Sequence, residues 1–238
     1  MIVDPPLYKG RIISLFEDIM SIFDIIGPVM VGPSSSHTAG AVKIGLITAK
    51  LLGEKPVSAE ITLSGSFAAT GKGHGTDRAL VAGLLGMSPD DDRIPESFEI
   101  AKKNWFTVHF NKETIKEAHP NTALLNVTGA SGRIISVQAC SVGGGRIRVK
   151  KIDGVLVDFS AEMPTLIVNN LDKPGCVAEI TDCISHEGIN IATMQLYRNK
   201  RGGEAVMVVE LDDKIPDGFA EKIASMEGVT RVVYTGGE

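Results

Sequence analysis

Five consecutive polar residues carry the densest chemistry in the sequence. They read SSSHT, form what we call the serine turn (Ser34–Thr38), and follow a Gly-Pro pair. A helical pattern, Ala39–Leu52, comes next and stops at Gly53. Hydroxyls and unpaired backbone N–H groups at a helix start favour an anion, because the helix dipole is positive there. The turn therefore suits a phosphate or a carboxylate, although an ordinary N-cap with spare serines is the plainer interpretation.

A glycine-rich stretch, Ser64–Asp77, follows the predicted strand Val57–Leu63. We expect a turn whose glycines let the backbone approach a ligand, with Thr76 or Asp77 capping a helix over Arg78–Leu85. The spacing is neither GxGxxG nor GxxxxGK[ST], so it does not indicate a nucleotide site. The alternative is a flexible surface loop. The lysine and the histidine among the glycines, Lys72 and His74, favour a site.

A third polar turn, His119-Pro120-Asn121-Thr122, precedes the apolar strand Ala123–Val127. Such a turn either contacts a polar ligand or is only a turn. His37, His74 and His119 are the nearby side chains whose ordinary pKa suits proton transfer at neutral pH. At least one is expected to carry a proton while the others orient a substrate, and the sequence does not decide which.

The remaining pattern predicts a first region rich in strands and a last region that combines strands and helices. The first region is expected to hold a helix over Arg11–Ile26 (or a short strand over Ser21–Ile26), a helix over Glu96–Lys103, and strands over Phe106–Phe110, Ile134–Ser141, Arg146–Ile152 and Val155–Phe159. From Pro164 onward the order is βαββαβ, a ferredoxin-like unit whose first helix is expected to begin at Pro174. We therefore predict a mixed α/β domain over residues 1–160 and a second domain over residues 164–238.

Composition narrows the partners of the chain. It has 238 residues, a formal net charge of -5 and only 5% aromatic residues, which argues against nucleic acid. No apolar run is long enough for a bilayer, and the start of the chain does not resemble a signal peptide. The three cysteines, an odd number, indicate a reducing cytoplasm and are expected to be small buried residues.

The last region resembles an ACT domain, the small module that binds amino acids and regulates metabolic enzymes. The matching stretches are Asn169–Gly175 and Gly188–Ile191. The resemblance implies an effector site at Asn170, Gly175 and Asn190, often formed between two paired domains, and self-association edge to edge.

The stretches GPSSSHTAGAVKIG, GSFAATGKGHGTD and HPNT strongly resemble the beta subunit of iron–sulfur-dependent L-serine dehydratases, and the resemblance covers essentially the whole chain. The first region also resembles the allosteric substrate-binding domain of some phosphoglycerate dehydrogenases, in fold more than in motif. The fold class implied is a two-domain α+β protein.

This resemblance implies half of an enzyme that converts L-serine to pyruvate and ammonia. In that family a 4Fe-4S cluster, held by cysteines of the alpha subunit, acts as a Lewis acid while a base removes the α-proton. The chain here is then expected to hold no metal itself. Its expected substrate-binding residues are Ser34, Ser35, Ser36, Thr38, Lys72, Asp77 and Asn121, and Lys72 either holds an anionic group or pairs with Asp77.

A binding module is the alternative interpretation. The chain would then be a regulatory sensor of serine or another small anion, with the serine turn as its pocket. The histidines favour chemistry, because hydroxyls and backbone N–H groups alone are enough to capture a carboxylate.

Overall fold

The computed structural model describes residues 29–237, with the side chain of Lys72 excepted, so the expectations for Arg11–Ile26 lie outside the described residues. The helices, after a π-helical turn at Ser35–Ala39, are α1 (Gly40–Leu52), α2 (Gly65–His74), α3 (Thr76–Leu84), α4 (Ser97–Lys103), α5 (Cys176–His186) and α6 (Phe219–Ala224). The strands are β1 (Pro56–Ser64), β2 (Thr107–Lys112), β3 (Asn121–Gly129), β4 (Ile134–Gly143), β5 (Arg146–Ile152), β6 (Val155–Phe159), β7 (Pro164–Leu171), β8 (Ile191–Arg198), β9 (Glu204–Leu211) and β10 (Val229–Gly236).

The first sheet has six strands in the order β2-β1-β3-β4-β5-β6. Only β1 and β2 run parallel, and the other neighbours are antiparallel. The predicted strands and the glycine-linked hairpin of β4 and β5 are confirmed. One end of β3 lies beside the start of α2 through a bridge between Gly65 and Asn121. The sheet therefore brings two of the three polar stretches together.

Helix α1 covers this sheet and aims its first residues at the same end. Nine of its thirteen residues are buried. It crosses α3 closely at two glycines: a Cβ on Gly83 would lie 2.8 Å from the Cα of Gly45. Larger side chains would separate the helices, so this pair fixes where the serine turn sits over the sheet.

The glycine-rich stretch is not a turn, and that prediction was wrong. It forms α2, which ends at Gly75 in the left-handed conformation. Glycine costs about 1 kcal/mol relative to alanine inside a helix, so propensity opposes this element. Tertiary contacts favour it, because Phe67 is fully buried and the backbone N–H of Ser66 donates to Pro120 O at 2.7 Å. Nor do Thr76 or Asp77 cap α3, whose N-cap is Gly75.

The second sheet is antiparallel, in the order β10-β7-β9-β8, and the βαββαβ order predicted for it is confirmed. Its first helix begins at Cys176, with Gly175 as N-cap, rather than at Pro174. Alternate residues of β9 face two cores. Met207 and Val209 pack with α5 and α6, while Val206 and Val208 join the core of the first sheet.

The chain is thus a mixed α/β protein with two sheets, and one apolar cluster runs between them. Its division into domains at residues 160 and 164 stays a prediction. Within residues 29–237, every helix is too short or too polar to cross a membrane.

Candidate functional site

The serine turn begins the helix, as predicted, but through an irregular turn. Ser35–Ala39 is π-helical, a geometry that often marks functional sites. Ser34 is the N-cap: its hydroxyl accepts the backbone N–H of His37 at 3.2 Å. The hydroxyls of Ser35 and Ser36 have no hydrogen-bond partner among the described residues. Two hydroxyls at a helix start are therefore available to a ligand.

His37 lies at the centre of the site, half-buried between the serine turn and α2. Its Nε2 is 3.1 Å from Ser66 Oγ and 3.0 Å from Thr70 Oγ1. Its Nδ1 is 3.4 Å from Ser34 Oγ. The ring also packs edge-on against Phe67, with centroids 5.3 Å apart. The imidazole is therefore oriented from both sides before any substrate arrives.

The hydroxyl of Thr70 indicates which nitrogen of His37 carries the proton. Thr70 Oγ1 donates to the backbone O of Ser66 at 2.9 Å. A hydroxyl has one hydrogen, so toward His37 it acts as the acceptor, and Nε2 is the donor. Nδ1 then carries the lone pair, on the side of Ser34.

The pKa of His37 is lowered from its ordinary value, chiefly because burial disfavours the charged ring and secondly because His74 lies beside it. Hydrogen bonding with the Ser66 backbone opposes these effects. A neutral imidazole can accept a proton, so the environment suits a general base.

His74 closes the site from the end of α2. Its ring centroid is 4.9 Å from that of His37, and its backbone O accepts the hydroxyl of Thr38 at 3.4 Å. The Nδ1 of His74 is buried without a hydrogen-bond partner among the described residues. A groove of about 250 Å³ runs beside Thr38 and His74, and the side chain of Arg78 lines it.

The third polar turn meets α2 at Gly65, which has φ +57°. A Cβ there would lie 2.8 Å from Pro120 Cα, so only glycine permits this contact. The Nδ1 of His119 accepts the backbone N–H of Asn121 at 3.1 Å, and the His119 side chain is exposed. Asn121 Nδ2 is 3.5 Å from Ser141 O, which brings β4 into the site.

Buried polar atoms without partners concentrate here. Among the described residues there are six such side-chain atoms, and four surround the serine turn: His74 Nδ1, Thr76 Oγ1, Asn121 Oδ1 and Ser141 Oγ. Leaving a polar group buried and unpaired costs about 1–3 kcal/mol, so most such groups in native proteins are satisfied. Four such atoms on the elements that contact the serine turn indicate a place where a ligand could supply the missing hydrogen bonds.

Not every predicted residue joins this group. Asp77 lies in the first turn of α3 and accepts the backbone N–H of Arg78 at 2.8 Å. The side chain of Lys72 lies outside what the structure describes, so its predicted pairing with Asp77 stays a prediction.

Sequence reasoning missed Ser66, Thr70, Arg78 and Ser141 as site residues. Ser66 and Thr70 are four residues apart and share one face of α2. A helical interpretation of the glycine-rich stretch would have paired them. Ser141 carries no local signal, because only the pairing of β3 with β4 brings it to Asn121.

The cysteines do not suit an iron–sulfur cluster, which needs several convergent thiolates. All three are free and buried, as predicted; Cys140 lies in β4, whereas Cys176 and Cys183 lie in the core beneath the second sheet. Burial raises the pKa of the Cys140 and Cys176 thiols, which keeps them protonated. Within residues 29–237, no three His, Cys, Asp or Glu side chains are grouped to hold a metal.

The residues expected to bind an effector lie at opposite ends of α5. Asn170 is 3% exposed, and its Nδ2 donates to Leu171 O at 2.8 Å. Gly175 is the N-cap of the helix, while Asn190 follows its other end and donates to Asp212 Oδ2 at 2.6 Å. A helix of 11 residues is about 16 Å long, so within one chain a small amino acid would not touch both ends.

Two beta chains of L-serine dehydratases are similar to this chain over most of its length. A probable L-serine dehydratase beta chain of Bacillus subtilis is 36% identical over 212 residues, which cover 89% of this chain and 96% of the relative. An L-serine dehydratase beta chain of Peptoniphilus asaccharolyticus is 35% identical over 215 residues, covering 90% of this chain and 97% of the relative.

A D-3-phosphoglycerate dehydrogenase of Synechocystis is more distant. It is 25% identical over 197 residues, which cover 82% of this chain but 35% of the dehydrogenase. The solved ACT domain from GTP pyrophosphokinase of Chlorobium tepidum is 26% identical and covers 30% of this chain and 94% of its own, with a TM-score of 0.26. A likeness at this TM-score does not establish the fold.

The family described as serine dehydratase beta chain matches residues 21–152, more than half of the sequence. This range contains the serine turn, α2 and the His119 turn. With two beta chains similar over nearly their whole length, the match shows that the chain belongs to the serine dehydratase beta chain family.

Proposed function

We propose that this chain is the beta subunit of an L-serine dehydratase, which converts L-serine to pyruvate and ammonia together with an alpha subunit. One structural observation carries the proposal beyond family membership. An oriented histidine with a lowered pKa lies beside His74, and buried atoms of His74, Asn121 and Ser141 have no partner among the described residues. A site of this kind is made to bind a small polar molecule and to accept a proton from it.

The serine turn holds the substrate carboxylate. The hydroxyls of Ser35 and Ser36 and the unpaired N–H groups of the first turn offer donors to an anion. Asn121 Oδ1 is a free acceptor, and it suits the ammonium group of serine. A carboxylate and an ammonium held on two sides fix the amino acid for proton removal.

His37 is the base. Its Nδ1 takes the α-proton, the released electron pair forms the Cα–Cβ double bond, and the β-hydroxyl leaves and takes up a proton to become water. The resulting aminoacrylate rearranges to an imine and hydrolyses to pyruvate and ammonia. His74 lies against His37 and favours its neutral form, and His119 positions the backbone of Asn121.

We assign the 4Fe-4S cluster implied by the resemblance to the alpha subunit, because the three thiols described above do not converge. The last region is proposed to be an ACT domain that pairs with a second copy. An effector that touches Gly175 of one chain and Asn190 of the other would explain why these residues lie at opposite ends of α5.

Pyruvate release from L-serine under anaerobic conditions tests the proposal. This chain alone and the alpha subunit alone are expected to be inactive, and the mixture to be active. Activity of the alpha subunit without this chain would contradict the assignment of the base to His37.

A regulatory sensor remains the second candidate, since the similarity to a phosphoglycerate dehydrogenase covers 82% of this chain. Calorimetry with L-serine distinguishes the two functions. Serine binding to this chain, together with an inactive mixture, would favour the sensor.

A further inference from the structure

A second cavity lies at the other side of α1, where the two sheets meet, and we call it the seam cavity. Its volume is about 60 Å³, and its walls come from α1, the start of β5, the connection at residues 160–162 and the end of β10. It shares no lining residue with the groove beside His74. The catalytic proposal therefore does not account for it.

The polar lining of the seam cavity is mainly cationic. Lys43 and Lys50 lie two turns apart on α1, so they share one face, and Leu46 and Ile47 form the apolar floor between them. Arg146 adds a third cation, against the single carboxylate of Glu162. Among the described residues, neither Lys50 nor Arg146 has an ion-pair partner. Lys50 and Arg146 therefore place two positive charges on this lining against the one carboxylate of Glu162, so the cavity favours an anion.

Thr235 supplies an independent sign of a ligand. Thr235 lines the cavity and is 1% exposed, and its Oγ1 has no hydrogen-bond partner among the described residues. It is one of only two such buried atoms in the described part that lie outside the proposed active site. Most buried polar groups in native proteins have a hydrogen-bond partner, so this hydroxyl is a candidate donor to an occupant of the cavity.

The wall opposite is held in an uncommon backbone conformation. Ala161 has φ +61°, in the left-handed region that residues other than glycine rarely adopt. Ser160 and Glu162 flank it and also line the cavity. The connection between the sheets thus keeps a strained shape where it closes the cavity.

We propose that the seam cavity binds a small oxyanion: orthophosphate or a short carboxylate such as pyruvate. A volume of 60 Å³ admits about four to six non-hydrogen atoms, because one water needs about 10–15 Å³. Charge selects an anion, and the hydroxyl of Thr235 donates to one of its oxygens. The bound anion would bridge α1 to β10, and so the first sheet to the second.

Calorimetric titration of the full-length chain with sodium phosphate and with sodium pyruvate, at constant ionic strength set by sodium chloride, tests the proposal. At least one anion is expected to bind, and the two titrations identify which. Thr235→Val keeps the shape and removes the hydroxyl, so binding should weaken about fivefold. Arg146→Gln should weaken it about tenfold or more, because a charged donor is lost.

Two further variants locate the binding. Lys55→Gln removes an exposed lysine that does not line the cavity and should leave the affinity unchanged. His37→Ala should also leave it unchanged, because the seam cavity is separate from the serine turn. Failure of both anions to bind overturns the proposal. So does binding that survives Thr235→Val and is lost in His37→Ala, since that anion would occupy the serine turn.

Discussion

The two ends of α1 differ in how their polar groups are satisfied. At the C-terminal end, Gly53 adopts the left-handed conformation and donates its N–H to Ala49 O. Arg231 donates to the carbonyls of Leu51 and Leu52, and Arg133 donates to Leu52 O at 3.2 Å. At the N-terminal end, two serine hydroxyls and four nearby buried atoms have no partner among the described residues. The polar groups of one end are bonded within the fold, whereas those of the other end are available to the proposed ligand.

Removing His37, the proposed base at the N-terminal end of α1, should have the largest effect. His37→Ala is expected to lower turnover of the assembled enzyme by about 10²–10⁴-fold, the usual contribution of a general base. The fold should survive, because the ring is only half-buried. Pyruvate formation and thermal unfolding measure the two effects.

His109→Ala is the matched control, since His109 is an exposed histidine on β2. It should retain normal turnover. Near-normal turnover in His37→Ala would contradict the role of His37 and leave His74 or His119 as the base.

Substitutions at the C-terminal end of α1 should lower the stability of the fold rather than turnover. Arg231→Ala leaves the carbonyl of Leu51 without its charged donor, while the carbonyl of Leu52 keeps Arg133, and a hydrogen bond of this kind contributes about 1.5–3 kcal/mol. We expect the free energy of unfolding in urea to fall by about that amount, with turnover preserved below the transition. Arg133→Ala, which removes one bond, should cost less, and Arg201→Ala on the exposed hairpin should cost nothing measurable. Equal losses in all three variants would show that the cap is not what matters.

Ser141 sharpens the comparison, because within residues 29–237 its hydroxyl has no hydrogen-bond partner to lose. Ser141→Ala removes a buried unpaired group, so stability should stay the same or rise by about 1 kcal/mol. Turnover should fall by about fivefold to tenfold if the hydroxyl bonds to substrate. Thermal unfolding and steady-state kinetics of the same preparation separate the two effects. A loss of stability with unchanged turnover would show that the hydroxyl is structural.

The sequence predicted most elements and some of the residues that the structure brings together around the serine turn. Alternating residues revealed β1, an apolar run after a polar turn revealed β3, and the capped apolar stripe revealed α1, because those signals are local. The glycine-rich stretch was mispredicted because its glycines disfavour a helix. The helix is stabilised by the buried side chain of Phe67 and by the carbonyl of Pro120, which lies 53 residues after Phe67. Ser66 and Thr70 were lost with that helix, and Ser141 depends on strand pairing that no local pattern encodes.

The second sheet shows the same limit. Met207, Val209 and Leu211 alternate along the sequence, a pattern typical of one buried strand face, and all three are buried in β9. The other face is buried as well, against the core of the first sheet. A continuous apolar strand such as AVMVV is consistent with two buried faces, but it does not name the surface that covers the second one.

The smallest expected effect is a change in pH dependence. A general base works when it is neutral, so activity should fall as the pH drops through the pKa of His37. That pKa is lowered by burial first and by His74 second, which moves the acid limb of the pH profile below the ordinary histidine value. His74→Gln removes the neighbouring charge, so the pKa of His37 should rise and the acid limb should move to higher pH.

The profile of kcat/KM against pH measures this shift, and His109→Gln should leave the limb in place. An acid limb that stays fixed in His74→Gln, while Ser66 and Thr70 are intact, would mean that a group other than His37 titrates, most directly one on the alpha subunit.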